Sequence, residues 1–188
     1  MKLFILFIGI AFFISVGDIS MAGIKINDSN ASLSKLKLKL VSNENNMTMY
    51  KTDNGNDFSI TIEKGKVVYM ENDWLQDIKS NKPLFSDFYF GQTTLKDIRS
   101  KFSTNGFTYR SKGAFTTDTD LIEFNCFEFD SNNNEVLVTI TKMSLKEHVT
   151  KDNISSKLKL DAIIIADKAY LDKVWGDEKV YDSNYRKI

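Results

Sequence analysis

The residues that could carry out nucleophilic catalysis are one cysteine and one histidine, Cys126 and His148. A cysteine nucleophile needs a base within hydrogen-bond reach, yet Cys126 lies in the strand-like segment LIEFNCFEFD and His148 in the polar connector SLKEHVTKD. A free cysteine in a strand is usually a small buried apolar side chain. We therefore expect no catalytic pair. One histidine and one cysteine also do not supply the ligands of a common tetrahedral zinc site.

A calcium loop is the second chemistry that the residue types suggest. In DSNNNE, Asp130, Asn132 and Asn134 stand at positions 1, 3 and 5 of such a loop. Position 6 is Glu135 where the loop needs glycine, and position 12 is Thr141 where it needs glutamate. We interpret the segment as a polar hairpin turn and expect no metal there.

Paired carboxylates could serve glycoside hydrolysis. Asp118 and Asp120 in TTDTD are such a pair, but the segment has the composition of a solvated loop. The sequence contains no glycine-rich phosphate loop. We expect no enzyme activity and no cofactor, and keep a carboxylate-based hydrolase as an alternative.

The first block, MKLFILFIGIAFFISVGDISMAG, has the composition of a secretory signal peptide. It combines one lysine, an apolar run over Leu3–Val16, and the small residues Ser20 and Ala22 at the −3 and −1 places of an A-x-A-like site. The apolar run is shorter than the roughly 20 residues that span a bilayer. We expect cleavage between Ala22 and Gly23, no stable membrane insertion afterwards, and a periplasmic or secreted protein.

Composition excludes several classes of partner. Lys and Arg number 25, as do Asp and Glu, so no basic excess favours nucleic acid. One cysteine excludes a disulfide framework. With 42% hydrophobic residues in 188, the chain can bury the core of one domain or two small ones.

The dipeptide Asn54-Gly55 predicts a β-hairpin, because a two-residue type I′ turn needs φ > 0 at both central positions. In this register Met49 faces Ile60. One face of the hairpin is then expected to be buried, and it holds Met47, Met49, Phe58, Ile60 and Ile62. The other face is expected to be solvated and is the candidate partner-binding face, made of Thr48, Tyr50, Ser59 and Thr61.

A second turn follows at Glu63-Lys64-Gly65-Lys66 and admits two registers. A two-residue loop would bury Val67 and Tyr69, whereas a three-residue loop with Gly65 left-handed would bury Val68 and Met70. We favour the second, since Gly65 alone supplies the required φ > 0.

The segment FGQTTLKDIRSKFSTNGF predicts a short helix. Thr94 is a natural N-cap with Asp97 as its capping-box partner, and Gly106 is expected to end the helix as a left-handed C-cap. Leu95, Ile98 and Phe102 share its buried face. The segments FTYRS, LIEFNCFEFD and NEVLVTITK then predict a three-stranded meander.

The first half is interpreted as an earlier copy of this unit. Ser32 could cap a helix through Leu33, Leu36 and Leu40, although the Lys/Leu alternation of SKLKLKL indicates a strand. We favour the helix because of the repeat. The fold class is thus α+β: two tandem units of a short helix on a three-stranded antiparallel sheet, plus a C-terminal extension. The predicted divisions are a signal peptide (1–22), a first unit (23–73), a linker (74–87), a second unit (88–145) and the extension (146–188).

Within the extension, Leu158 to Ile165 predicts a buried strand. Asp167 is expected to cap a helix that Gly176 closes. We interpret the extension as a cover over the edge of the second sheet.

Two tandem helix-plus-meander units behind a signal peptide, with FGQTTLKDIRSKF at the second entry, resemble the fold shared by β-lactamase-inhibitory protein and the SmpA/OmlA-type outer-membrane lipoproteins. The resemblance covers about residues 24–142, without the lipid-accepting cysteine of the lipoproteins. It implies a bacterial envelope or secreted module that binds through its sheet face.

These observations favour an exported, non-enzymatic binding or inhibitory module with a protein partner, for example an immunity-type protein. A structural role in envelope assembly is the alternative that the resemblance implies.

Overall fold

The computed structural model describes residues 19–76, 81–85, 87–131 and 134–188. Most of the predicted signal peptide, and Asn132 of the calcium-like segment, lie outside the described residues. The described strands form one sheet. They are β1 (Lys39–Glu44), β2 (Met47–Lys51), β3 (Asp57–Glu63), β4 (Lys66–Asp73), β5 (Phe107–Tyr109), β6 (Ala114–Thr116), β7 (Asp120–Glu128), β8 (Glu135–Ser144), β9 (Lys159–Asp167) and β10 (Lys179–Tyr181).

The helices of the described chain are short. They are α1 (Leu95–Phe102), α2 (Ile154–Lys157) and α3 (Lys168–Trp175), with 3₁₀ turns at Asn30–Lys35 and Arg110–Lys112. The strands follow the order β1-β2-β3-β4-β9-β8-β7-β5-β10, and β6 pairs with β7. All the pairings are antiparallel. The class α+β is confirmed.

The position of β9 shows that the prediction of tandem three-stranded units is wrong. β9 lies between β4 and β8 and pairs with both. Its segment AIIIA (162–166) is apolar on both faces, which suits a central strand. The predicted buried strand is confirmed, but it joins the two halves into one sheet instead of covering an edge.

The first hairpin is shifted by one residue from the predicted register. Tyr50 pairs with Phe58, and Thr52 donates its N–H to the carbonyl of Asn56. The loop therefore has three residues, with Gly55 at φ 85°. Asn54 does not adopt positive φ, since a three-residue loop needs only one left-handed residue, and glycine takes it at least cost.

A one-residue shift exchanges the faces of one strand relative to its partner. Tyr50, expected to be solvated, is 7% exposed and lies with Phe58 and Ile60 in the core. Met47, expected to be buried, is 42% exposed. Burial of Phe58 and Ile60 is confirmed, while Met49 and Ile62 are only half-buried.

The second hairpin combines the two predicted registers. Glu63 pairs with Lys66, and Lys64 and Gly65 both have positive φ, as in the two-residue loop. A β-bulge then leaves Val68 unpaired between Val67 and Tyr69. Val67 and Met70 are consequently both fully buried, so the prediction is right for Met70 and wrong for Val68.

Helix α1 matches its predicted start. The Thr94 hydroxyl accepts from the Asp97 N–H at 3.2 Å, and an Asp97 carboxylate oxygen accepts from the Thr94 N–H at 2.9 Å. Leu95 and Ile98 are fully buried. The helix ends at Ser103, which is left-handed at φ 54°, and the prediction that Gly106 ends it is wrong.

The predicted first-half helix is also wrong. A 3₁₀ turn covers Asn30–Lys35 and strand β1 starts at Lys39, which agrees with the period-2 alternation of SKLKLKL. Helix α3 is confirmed: the Asp167 carboxylate accepts from the Tyr170 N–H at 2.9 Å, and Gly176 is the C-cap at φ 82°.

The sheet has two faces that pack differently. The first face packs against α1 and the segment 19–38, with Phe58, Ile60, Met70, Phe127, Leu137, Ile163 and Ile165 in its core. The second face packs against α3 through Leu171, with Phe107, Cys126, Val136, Val138, Ile164 and Ala166.

Candidate functional site

Helix α3 covers only part of the second face. Its Leu171 packs on side chains of β5, β7, β8 and β9, and its Tyr170 ring reaches Tyr69 of β4, with the centroids 5.8 Å apart. Beyond Tyr69, the second face of β2, β3 and β4 is exposed or half-exposed except at Ser59. We call this surface the open half. It presents Met47, Met49, Lys51, Asp57, Ser59, Thr61, Glu71 and Asp73.

Four acidic residues meet on and beside the open half, and we call Asp57, Glu71, Asp73 and Asp161 the carboxylate cluster. Asp57 and Asp73 are direct cross-strand partners, an arrangement that is destabilising for two like charges. Asp161 is drawn close to Asp73 because β9 pairs with β4, where Asp73 faces Ala162. The carbonyl of Asp161 also accepts from the Trp74 N–H at 2.9 Å.

Lysines neutralise the two ends of the cluster. Lys51 Nζ lies 2.5 Å from the Asp57 carboxylate, and Lys142 Nζ lies 2.9 Å from that of Asp161. Within the described part of the chain, no cation forms an ion pair with Glu71 or Asp73. Glu71 accepts a hydrogen bond from the Tyr69 hydroxyl at 2.7 Å, and Lys112 attracts it from farther away.

The surroundings therefore disfavour full ionisation of the carboxyl groups at the centre of the cluster. Burial, followed by the negative charges of Glu71, Asp57 and Asp161, raises the pKa of Asp73 from 3.8 to about 7. Burial also raises the pKa of Glu71, against the hydrogen bonds from Tyr69 and Asp73. Glu71 and Asp73 thus form a pair of neighbouring carboxyl groups on β4 with too few cations around it.

A cleft of about 270 Å³ adjoins the cluster where β7, β8 and β9 begin or end. Trp74 and Leu160 contribute apolar wall, and Lys142, Lys159 and Asp161 contribute charged groups. The Trp74 ring lies over Gly91, where a Cβ atom would come within 2.3 Å of it. The Trp74 indole N–H has no hydrogen-bond partner among the described residues. The Lys142–Asp161 ion pair therefore belongs to both the cleft and the cluster.

The structure separates the predicted partner-binding residues. Thr48 and Tyr50 are buried on the first face, so the prediction that they lie on a solvated face is wrong. Ser59 and Thr61 lie on the second face with Met49, but Ser59 is 6% exposed and Thr61 is half-buried. Their neighbour Glu71, which pairs with Ser59, is half-buried and thus more accessible than Ser59.

The other chemical candidates lie apart from the cluster. Cys126 is fully buried, which raises the pKa of its thiol, whereas His148 is exposed between β8 and α2. No group of His, Cys, Asp and Glu in the described ranges is arranged to hold a metal ion. No helix in those ranges is long and apolar enough to cross a membrane.

Sequence reasoning missed the carboxylate cluster. The alternation of Tyr69, Glu71 and Asp73 in VVYMEND placed these side chains on one face, and this was the available signal. The approach of Asp57 and Asp161 depends on the two hairpin registers and on the insertion of β9, which the sequence did not indicate.

No protein-family model matches the chain, and no curated protein matches it. Among solved structures, it is similar to an extracellular protein containing an SCP domain from Bacillus anthracis str. Ames, with a TM-score of 0.42 and 11% identity. The match covers 86% of this chain and 50% of that one, so the chain spans about half the length of the matched protein. The resemblance to β-lactamase-inhibitory protein and the SmpA/OmlA lipoproteins is wrong, because the expected tandem units are parts of one continuous sheet.

Proposed function

We propose that the protein is an exported binding module whose open half holds a basic segment of a partner protein. The observation that carries the proposal is the position of Glu71 and Asp73 on the open half, opposite Ser59 and Asp57, where neither carboxyl group forms an ion pair with a cation of the described residues. Export is supported by the composition of residues 1–22. An inhibitory or immunity-type role is the form of binding that fits an exported module.

Charge complementarity determines the partner's chemistry. The cluster has four carboxyl groups and two ion-paired lysines. A lysine or arginine side chain placed against Glu71 and Asp73 would stabilise their ionised forms and form charge-assisted hydrogen bonds. Around this contact, Met47 and Met49 offer adaptable apolar area.

The proposal predicts a pH dependence of binding with a defined sign. A cation stabilises the ionised form of Asp73, whose pKa in the free protein is about 7. Binding should therefore be stronger at pH 8, where the carboxylate is already ionised, than at pH 6, where the cation must displace a proton.

Affinity capture from the exported fraction tests the proposal, with three immobilised proteins side by side. They are the wild type, the Glu71→Gln/Asp73→Asn double variant, and a control Asp118→Asn/Asp152→Asn that removes two exposed carboxylates elsewhere. We expect a partner that the wild type and the control retain, more strongly at pH 8 than at pH 6, and that the double variant loses. Equal retention by all three proteins would contradict the proposal.

A carboxylate-based hydrolase is a second candidate, which the same carboxyl pair favours. Two carboxyl groups close enough for their titrations to be coupled can serve as acid and base. Hydrolysis of a panel of chromogenic glycosides by the wild type and not by Glu71→Gln would support this candidate, and the absence of hydrolysis at every pH from 4 to 8 would refute it. The alternative of a role in envelope assembly was implied only by the resemblance to the SmpA/OmlA lipoproteins. Because that resemblance is wrong, this alternative has no remaining support.

A further inference from the structure

The predicted cleavage site lies inside a folded turn. Met21 and Ile24 exchange two backbone hydrogen bonds of 2.9 Å each. Ala22 and Gly23, which flank the predicted scissile bond, occupy the two central positions at φ 52° and 78°. This is the geometry of a two-residue turn with both central residues left-handed.

The residues upstream of that bond belong to the core. Met21 is fully buried, and Ile19 packs against the same cluster as Phe58, Ile60 and Phe127. A cut between Ala22 and Gly23 would remove both side chains from the mature protein. The first face would then lose a large apolar side chain beside Ile24 and Ile26, and a cavity left in a core is destabilising.

An alternative site stands five residues upstream, outside the described residues. Ser15 and Gly17 are small residues at the −3 and −1 places of a bond between Gly17 and Asp18. The apolar region Leu3–Ile14 before them has 12 residues, within the usual range of about 7–15. Cleavage there would preserve Ile19, Met21 and the whole turn.

We propose that the signal peptide is cut between Gly17 and Asp18, so that the mature chain begins at Asp18 and folds with Met21 in its core. The step is hydrolysis of one peptide bond by a signal peptidase: water supplies a hydroxyl to the Gly17 carbonyl carbon and a proton to the Asp18 amine. The proposal rests on the export part of the proposed function.

Intact mass and N-terminal sequencing of the exported full-length gene product test the site. Two matched variants, Gly17→Leu and Ala22→Leu, each place a bulky side chain at the −1 position of one candidate bond. We expect Asp18 at the mature N-terminus, accumulation of precursor for Gly17→Leu, and normal processing for Ala22→Leu.

The outcomes separate this proposal from the proposed function. An exported chain that begins at Gly23, or a processing block in Ala22→Leu and not in Gly17→Leu, would overturn the cleavage site while leaving export intact. A chain that retains Met1 in the cytosol would overturn export and the cleavage site together.

Discussion

Replacing Asp73 by Asn should stabilise the protein at pH 8 and leave its stability at pH 4 almost unchanged. The reason is the raised pKa of Asp73, which results first from burial and then from the charges of Glu71, Asp57 and Asp161. Because the folded-state pKa lies above the unfolded value, the folded state binds more protons between about pH 4 and pH 7. The free energy of unfolding therefore falls as the pH rises through that window, and a neutral amide in place of the carboxyl group removes this loss.

The shift of the pKa from 3.8 to about 7 sets a ceiling of about 4 kcal/mol at 1.36 kcal/mol per unit. Asp73 is only half-buried, so water screens the repulsion and lowers the effect. The amide of the variant can also still donate a hydrogen bond to Glu71. We expect Asp73→Asn to raise the free energy of unfolding by about 1–3 kcal/mol at pH 8.

Urea denaturation at pH 4, 6 and 8 measures the effect as the difference between variant and wild type. The matched control is Asp118→Asn, an exposed aspartate in a loop, for which changes should stay within about 0.5 kcal/mol. A variant no more stable than the wild type at pH 8, or one stabilised equally at pH 4, would refute the electrostatic reasoning.

Three further predictions concern the fold. Gly106→Ala should lower the free energy of unfolding in urea by about 2 kcal/mol or more, because φ is 72° and the new Cβ would lie 2.3 Å from the Cys126 carbonyl oxygen. An unchanged free energy of unfolding would contradict this close approach. Tyr50→Ala should lower the melting temperature, because truncating this buried side chain lowers the free energy of unfolding by about 3–5 kcal/mol. An unchanged melting temperature would favour the register predicted from the sequence, in which Tyr50 lies on the solvated face. The Cys126 thiol should react with a thiol reagent only in denaturant, because it is fully buried with a raised pKa; rapid reaction of the native protein would contradict its position.

The elements that could be predicted carry local signals. Helix α1 was identified from Thr94 and Asp97, which bond to each other within one turn, and α3 from Asp167 and Gly176. These caps satisfy backbone groups of their own segment, so their effect does not depend on the rest of the chain. Strand β9 was predicted from its apolar run, which is also a signal contained within the segment itself.

The features that could not be predicted depend on pairing between distant segments. Asn54-Gly55 is compatible with both a two-residue and a three-residue loop, and the burial of Tyr50 against Phe58 favours the second only after the core has formed. The repeat hypothesis failed because β9 pairs with β4 across about 90 residues, and no local signal specifies that partner. The carboxylate cluster is a product of these pairings.

Carboxyl titration of Asp73 by NMR, in the free protein and in complex with the captured partner, would show whether the partner's cation binds at the open half. We expect a pKa near 7 in the free protein and a clearly lower pKa in the complex, because the partner's cation stabilises the ionised carboxylate. An Asp73 pKa that is the same in the free and bound states would contradict the assignment of the open half as the binding surface.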